Sequence, residues 1–262
     1  MISADWVSEL TGVTLDRHFA IIVLATLFAG FLRGFIGFGA ALVTIPVISL
    51  VFGPHAAVPI VTVMGLPSTV QLLPDAIRYS ERAIVVPMAI AIFAATPIGT
   101  WILIAVDQGL MKIVISAIVV SMVGFLAMGW SLKEKVSARI LLFAGTVGGL
   151  VQGAAGIGGP PVVAVALSRA GAPERQRGNV LAVMTAISLS SLPPLYYYGL
   201  FTRQAIVIGL VLLPLYSFGT WFGSRFFSGG GAKYYRGAAL IILAIIGLVT
   251  LMIALRDYLD IS

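Results

Sequence analysis

The sequence predicts an all-α polytopic membrane protein built as two inverted repeats, each a glycine-broken hairpin followed by three transmembrane helices. Three observations carry this expectation. Of the 262 residues 60% are hydrophobic and only 10% charged, with a mean hydropathy of +1.08, whereas soluble domains carry roughly 25% charged residues. The apolar runs are continuous and approach the ~20 residues that cross a bilayer core, without the alternation of a membrane β-strand. And the chain repeats itself: shifting it by 119 residues lays GFLRGFIGFGA (30–40) on GLVQGAAGIGG (149–159).

The repeat fixes the order of elements. Gly30, Arg33, Gly34, Gly37 and Gly39 fall on Gly149, Gln152, Gly153, Gly156 and Gly158. Downstream, Ala83-Ile84-Val85-Val86 echoes Ala205-Ile206-Val207-Ile208, and Gly99-Thr100-Trp101 echoes Gly219-Thr220-Trp221. A polar leader (1–16) precedes repeat 1 (17–130), a linker (131–137) holds Lys133, Glu134 and Lys135, and repeat 2 occupies 138–262. The broken segments are 17–52 and 138–167. Segments 56–73, 83–106 and 109–130 follow in the first half, and 180–198, 205–227 and 237–255 in the second. Pro67 and Pro193-Pro194 are expected to kink their helices. Trp101, Trp130, Trp221 and Tyr196–Tyr198 read as interface aromatics. The leader lacks the basic start and short apolar run of a cleaved signal peptide.

Basic residues set the orientation. Arg78 and Arg82, then Lys133, Lys135 and Arg139, then Arg169, Arg175 and Arg177, then Arg225, Lys233 and Arg236 make up eleven of the sixteen. All four clusters fall on one side if each broken segment returns to the side it entered. Basic loops mark the cytoplasm, so both termini are expected outside, in an inner (plasma) membrane. The net charge of +6 has the same origin and does not point to nucleic acid.

The glycine runs are the candidate site. Glycine costs a helix about 1 kcal/mol against alanine, and such density, with Pro160 and Pro161 in the second copy, should break the helix. A broken backbone in lipid must face protein or a wet cavity, and the N–H groups opening the next helix attract anions. Arg33 adds a charge inside the membrane, where charges mark pathways; Gln152 is its neutral counterpart. The expected substrate-binding set is Arg33, Gly34, Gly37, Phe38, Gly39, Gln152, Gly153, Gly156, Gly158 and Gly159. Thr69, Gln71, Ser188 and Ser191, from the segments that follow each break, complete it. Against this stands packing: Gly30-x-x-x-Gly34 and Gly149-x-x-x-Gly153 are small-xxx-small motifs. The acids Asp75 and Glu81 sit beside Arg78 and Arg82 rather than near Arg33 in sequence.

No cofactor or metal is expected. Cysteine is absent, the two histidines, His18 and His55, lack metal-ligand spacing, and Gly34-x-x-Gly37-x-Gly39 has the wrong order for a dinucleotide loop. No intramembrane carboxylate pair or nucleophile–histidine pair supports an enzyme.

The paired motifs GFLRGFIGFGA and GLVQGAAGIGGPP, heading the halves of a chain of this length, resemble the TauE/SafE family of sulfite exporters and sulfonate permeases, over about 18–255. The resemblance implies transport, mostly outward, of sulfite, sulfonates or other sulfur-containing anions. Where the second motif has prolines, the first has Ala40-Ala41-Leu42. The reading is a secondary transporter rocking around a midplane site, with an anion channel on the same hairpins as the alternative. Its partners are the anion and the lipid bilayer; a proton or sodium as coupling ion and a homodimer stay open.

Overall fold

The structure, a computed structural model, describes residues 17–127, 137–166 and 173–227, with Leu248, Met252 and Arg256 beyond them. The leader, nearly all of the linker and, apart from Leu248 and Met252, the segment 237–255 lie outside the described residues. Ten helices make up the described part: α1 Arg17–Ile36, α2 Ala40–Phe52, α3 Pro54–Tyr79, α4 Arg82–Ala105, α5 Gln108–Ala127, α6 Ala138–Ala155, α7 Gly159–Ala166, α8 Pro173–Ser190, α9 Leu192–Tyr197 and α10 Arg203–Phe227. There is no strand among them. Among the described residues five helical stretches are long and apolar enough to cross a membrane: Pro54–Pro74, Arg82–Ala105, Ala138–Ala155, Gly178–Tyr197 and Arg203–Phe226. The chain is an all-α, multi-pass membrane protein.

Both glycine runs break their helix where the spacing places the break. α1 ends as the Gly37 N–H donates to the Arg33 carbonyl (2.8 Å), and α6 ends as the Gly156 N–H donates to the Gln152 carbonyl (2.8 Å). Gly37 (φ 91°), Gly39 (φ 93°) and Gly156 (φ 70°) are left-handed, which residues with a Cβ rarely adopt. Each pair of arms then packs together: α1 with α2, and α6 with α7. A Cβ on Gly148 of α6 would stand 3.0 Å from the Gly158 carbonyl oxygen, so the second hairpin is tightly closed.

Gly30, Gly34, Gly149 and Gly153 serve helix crossings, and these come in matched pairs. α1 packs on α10, and α6 on α4. Gly30 and Gly34 meet the backbone of Tyr216, Gly219 and Thr220; Gly149 and Gly153 meet that of Ile92, Thr96 and Gly99. These are the Gly-Thr-Trp echoes of the sequence, each receiving the broken arm of the other half. With no side chains between them, the backbones approach closely, and dispersion supplies what the hydrophobic effect cannot supply in lipid. α3 and α8 meet between the two pairs.

The described helix ends differ modestly from the expected ones. α3 runs past 73 to Tyr79, taking in Pro59, Pro67 and Pro74. The expected segment 180–198 is two helices, because Pro193 and Pro194 offer no N–H to the preceding turn and the chain steps at Ser191. Asn179 is buried and bridges to Glu81: its Oδ1 accepts from the Glu81 N–H (2.7 Å), tying α8 to the start of α4.

Candidate functional site

The two breaks open onto one cavity of about 90 Å³, room for a few waters or one small oxyanion by the ~10–15 Å³ of comparable volume that a water needs. Arg33 of α1 lines it, as do Gly39, Ala40 and Ala41 at the start of α2. From the second break come Gln152, Gly156, Gly159 and Pro160. α3 presents Val58, Val61, Thr62, Gly65 and Ser68, and α8 presents Met184, Ile187 and Ser188. Both sets recur at three and four residues, so they are single helix faces. Tyr216 of α10 completes the wall.

Arg33 sits in the last turn of α1, where the negative end of the helix dipole favours a cation. It is 8% exposed, and its Nε has no hydrogen-bond partner among the described residues. Among the described residues no acidic side chain lines the cavity. Tyr216 and Ser68 line the same cavity as this charge.

The two breaks are chemically unequal. α2 opens on Gly39 with no side-chain cap. Leu42 already donates to the Gly39 carbonyl (3.1 Å), which leaves the N–H groups of Ala40 and Ala41 without an intrahelical acceptor. The second break is occupied by its own side chain. Gln152 Oε1 accepts from the Gly158 N–H (3.0 Å) while its Nε2 donates to Ser191 Oγ (2.9 Å). Pro160 and Pro161 bring no N–H at all. The donors facing the cavity are therefore concentrated at the first break. The hydroxyls of Thr62, Ser68 and Ser188 donate to their own helices, at Val58, Gly65 and Met184.

Of the residues singled out in the sequence, the structure brings Arg33, Gly39, Gln152, Gly156, Gly159 and Ser188 to the cavity. Ser191 stands behind Gln152 and holds it. Gly34 and Gly153 lie in the α1–α10 and α6–α4 crossings, Gly37 faces Leu181 and Val180, and Gly158 abuts Gly148 and Gln152. Phe38 packs, half-buried, on the apolar cluster around Val180 and Met184. Thr69 is buried and donates to the Gly65 carbonyl (3.2 Å), and Gln71 is exposed on another face of α3. Ser68, Thr62, Gly65, Met184, Ile187 and Tyr216 line the cavity without having been selected. A stripe drawn through α3 at 58, 61, 62, 65 and 68 would have found three of them.

A family model described as Sulfite exporter TauE/SafE matches residues 22–250. No curated protein and no solved structure matches the chain.

Proposed function

The chain belongs to the TauE/SafE family of sulfite exporters, and from that premise we propose that it is a secondary transporter of small anions, sulfite and sulfonates foremost. The observation that carries the reading is Arg33: among the described residues, a buried guanidinium whose Nε has no partner, in a cavity that no acid lines, beside the uncapped start of α2. An uncompensated buried charge costs several kcal/mol. An oxyanion seated there would remove that cost, taking charge-assisted hydrogen bonds from the guanidinium and N–H donation from Ala40 and Ala41.

In this mechanism Arg33 supplies the charge and selects against cations. The α2 start orients the oxyanion, and Gln152, braced by Gly158 and Ser191, holds the second break in register. The protein lies in the inner membrane with both termini outside, and its halves are inverted repeats that rock around the site to give alternating access. The reciprocal packing of α1 on α10 and α6 on α4 supports that arrangement: two matched contacts provide two surfaces on which the halves can pivot.

The test is flux of radiolabelled sulfite, sulfoacetate and taurine into proteoliposomes, wild type beside Arg33→Gln and Arg33→Lys. Saturable, gradient-dependent flux in wild type, lost by at least tenfold in Arg33→Gln and partly kept in Arg33→Lys, is expected. Full flux in Arg33→Gln would remove Arg33 from the site. Flux that fails to saturate and needs no coupled ion would make the protein a channel.

A further inference from the structure

Gly65 is a glycine without a packing reason. The glycines of α1, α4, α6 and α10 each have an atom from outside their own helix within 3.0 Å of where a Cβ would stand; their lack of a side chain is what lets the chain pack this closely. Gly65, inside α3, has nothing within 4 Å of that position, although the residue lines the cavity. A glycine in a helix interior costs about 1 kcal/mol against alanine, here with no close contact to offset it.

Two other uses of a glycine are already met. A bend in α3 is provided by Pro67, which removes the donor to the Val63 carbonyl. A carbonyl exposed for a coupling ion is not on offer either: the Gly65 oxygen accepts from Ser68 Oγ (2.8 Å) and Thr69 Oγ1 (3.2 Å). What remains is the space itself. The cavity is polar at Arg33 and the start of α2, and apolar at Ile45, Val58, Val61, Met184 and Ile187.

Resting on the anion-transport reading above, we infer that Gly65 sets the size limit for the non-ionised part of the substrate. The empty position beside it receives the substituent that a sulfonate carries and sulfite lacks. A side chain there would be a specificity filter, excluding the organic anion and admitting the inorganic one.

The experiment uses the full chain in proteoliposomes, with wild type, Gly65→Ala and Gly65→Val, and with sulfite and sulfoacetate as paired probes. Thermal unfolding of each variant is measured alongside. Gly65→Ala should unfold no earlier than wild type, since it restores helix propensity without a clash. Its ratio of sulfoacetate to sulfite kcat/KM should fall by at least tenfold; Gly65→Val should abolish sulfoacetate flux. Equal loss of both anions in a stable Gly65→Ala protein would make Gly65 a hinge and overturn the inference, and so would unchanged transport of both. If wild type itself moves neither anion, the transport reading falls first and this falls with it, an outcome plainly distinct from the other two.

Discussion

Gly153→Ala tests the helix crossing on which the site is built. The added Cβ would clash with the Thr96 carbonyl oxygen and lie 2.5 Å from the Thr100 nitrogen and 2.8 Å from the Gly99 carbonyl carbon. All three are backbone atoms, so no rotamer change relieves the clash and α4 and α6 must separate. Overpacking of this kind costs about 1–3 kcal/mol. Three backbone atoms inside 3 Å put this site at the upper end, and the helix-propensity gain of about 1 kcal/mol leaves roughly 2 kcal/mol of net destabilisation. For a chain of this size that lowers the melting temperature by about 4–8 °C. Scanning fluorimetry in detergent reads this directly, with Gly65→Ala as the control substitution that meets no atom. A Gly153→Ala protein as stable as wild type would refute the close α4–α6 approach, and with it the placement of Gln152 one residue away.

Further substitutions separate the two breaks. Gln152→Glu removes the donor to Ser191 and sets a carboxylate in the cavity lined by Arg33, so anion flux should fall at least tenfold, whereas Gln152→Leu should cost about 1–3 kcal/mol of stability by orphaning the Gly158 N–H; unfolding and flux assays measure both. Gly39→Ala meets no atom yet forces φ 93° on a residue with a Cβ, so a loss of about 1–2 kcal/mol should arise from backbone strain alone; a stability equal to wild type would mean the α2 start is not left-handed. The chain has no cysteine, so a single introduced thiol reports topology without background. Impermeant maleimide added to intact spheroplasts should label Arg203→Cys and spare Arg78→Cys; the reverse pattern would invert the orientation.

The breaks were legible because they are chemical punctuation. Glycine at 37, 39 and 156 is demanded by φ, and nothing else in an apolar helix does that work. Arg33 was legible because a charge in a run of phenylalanines and glycines has few explanations. What the sequence obscured is which glycine does which task. Gly34 and Gly37 stand three residues apart in one motif, yet one receives the α10 backbone and the other turns the chain; that division depends on a helix almost two hundred residues away. The cavity face of α3 was obscured for another reason. Ser68, Thr69 and Gln71 are equally polar in the sequence, and only the helical phase, fixed by contact with α8, turns Ser68 inward and Gln71 out. Tyr216 gave one signal, a phenol amid leucines and valines, which an interface reading of tyrosines absorbs.

The crossed clasp of arms also has a history written into it. α1 is the first described helix to leave the ribosome, and its partner α10 follows roughly 190 residues later, the separation of Gly30 from the Gly219 it touches. At about 5–20 residues per second, α1 waits on the order of ten to forty seconds with its glycine face and Arg33 uncovered. α4, by contrast, meets α6 within about 50 residues. The nascent chain therefore closes its inner clasp early and its outer clasp last. Until then a buried cation has no shelter, so the interval between the two closures is when a membrane-resident chaperone or quality-control protease would find this chain most exposed.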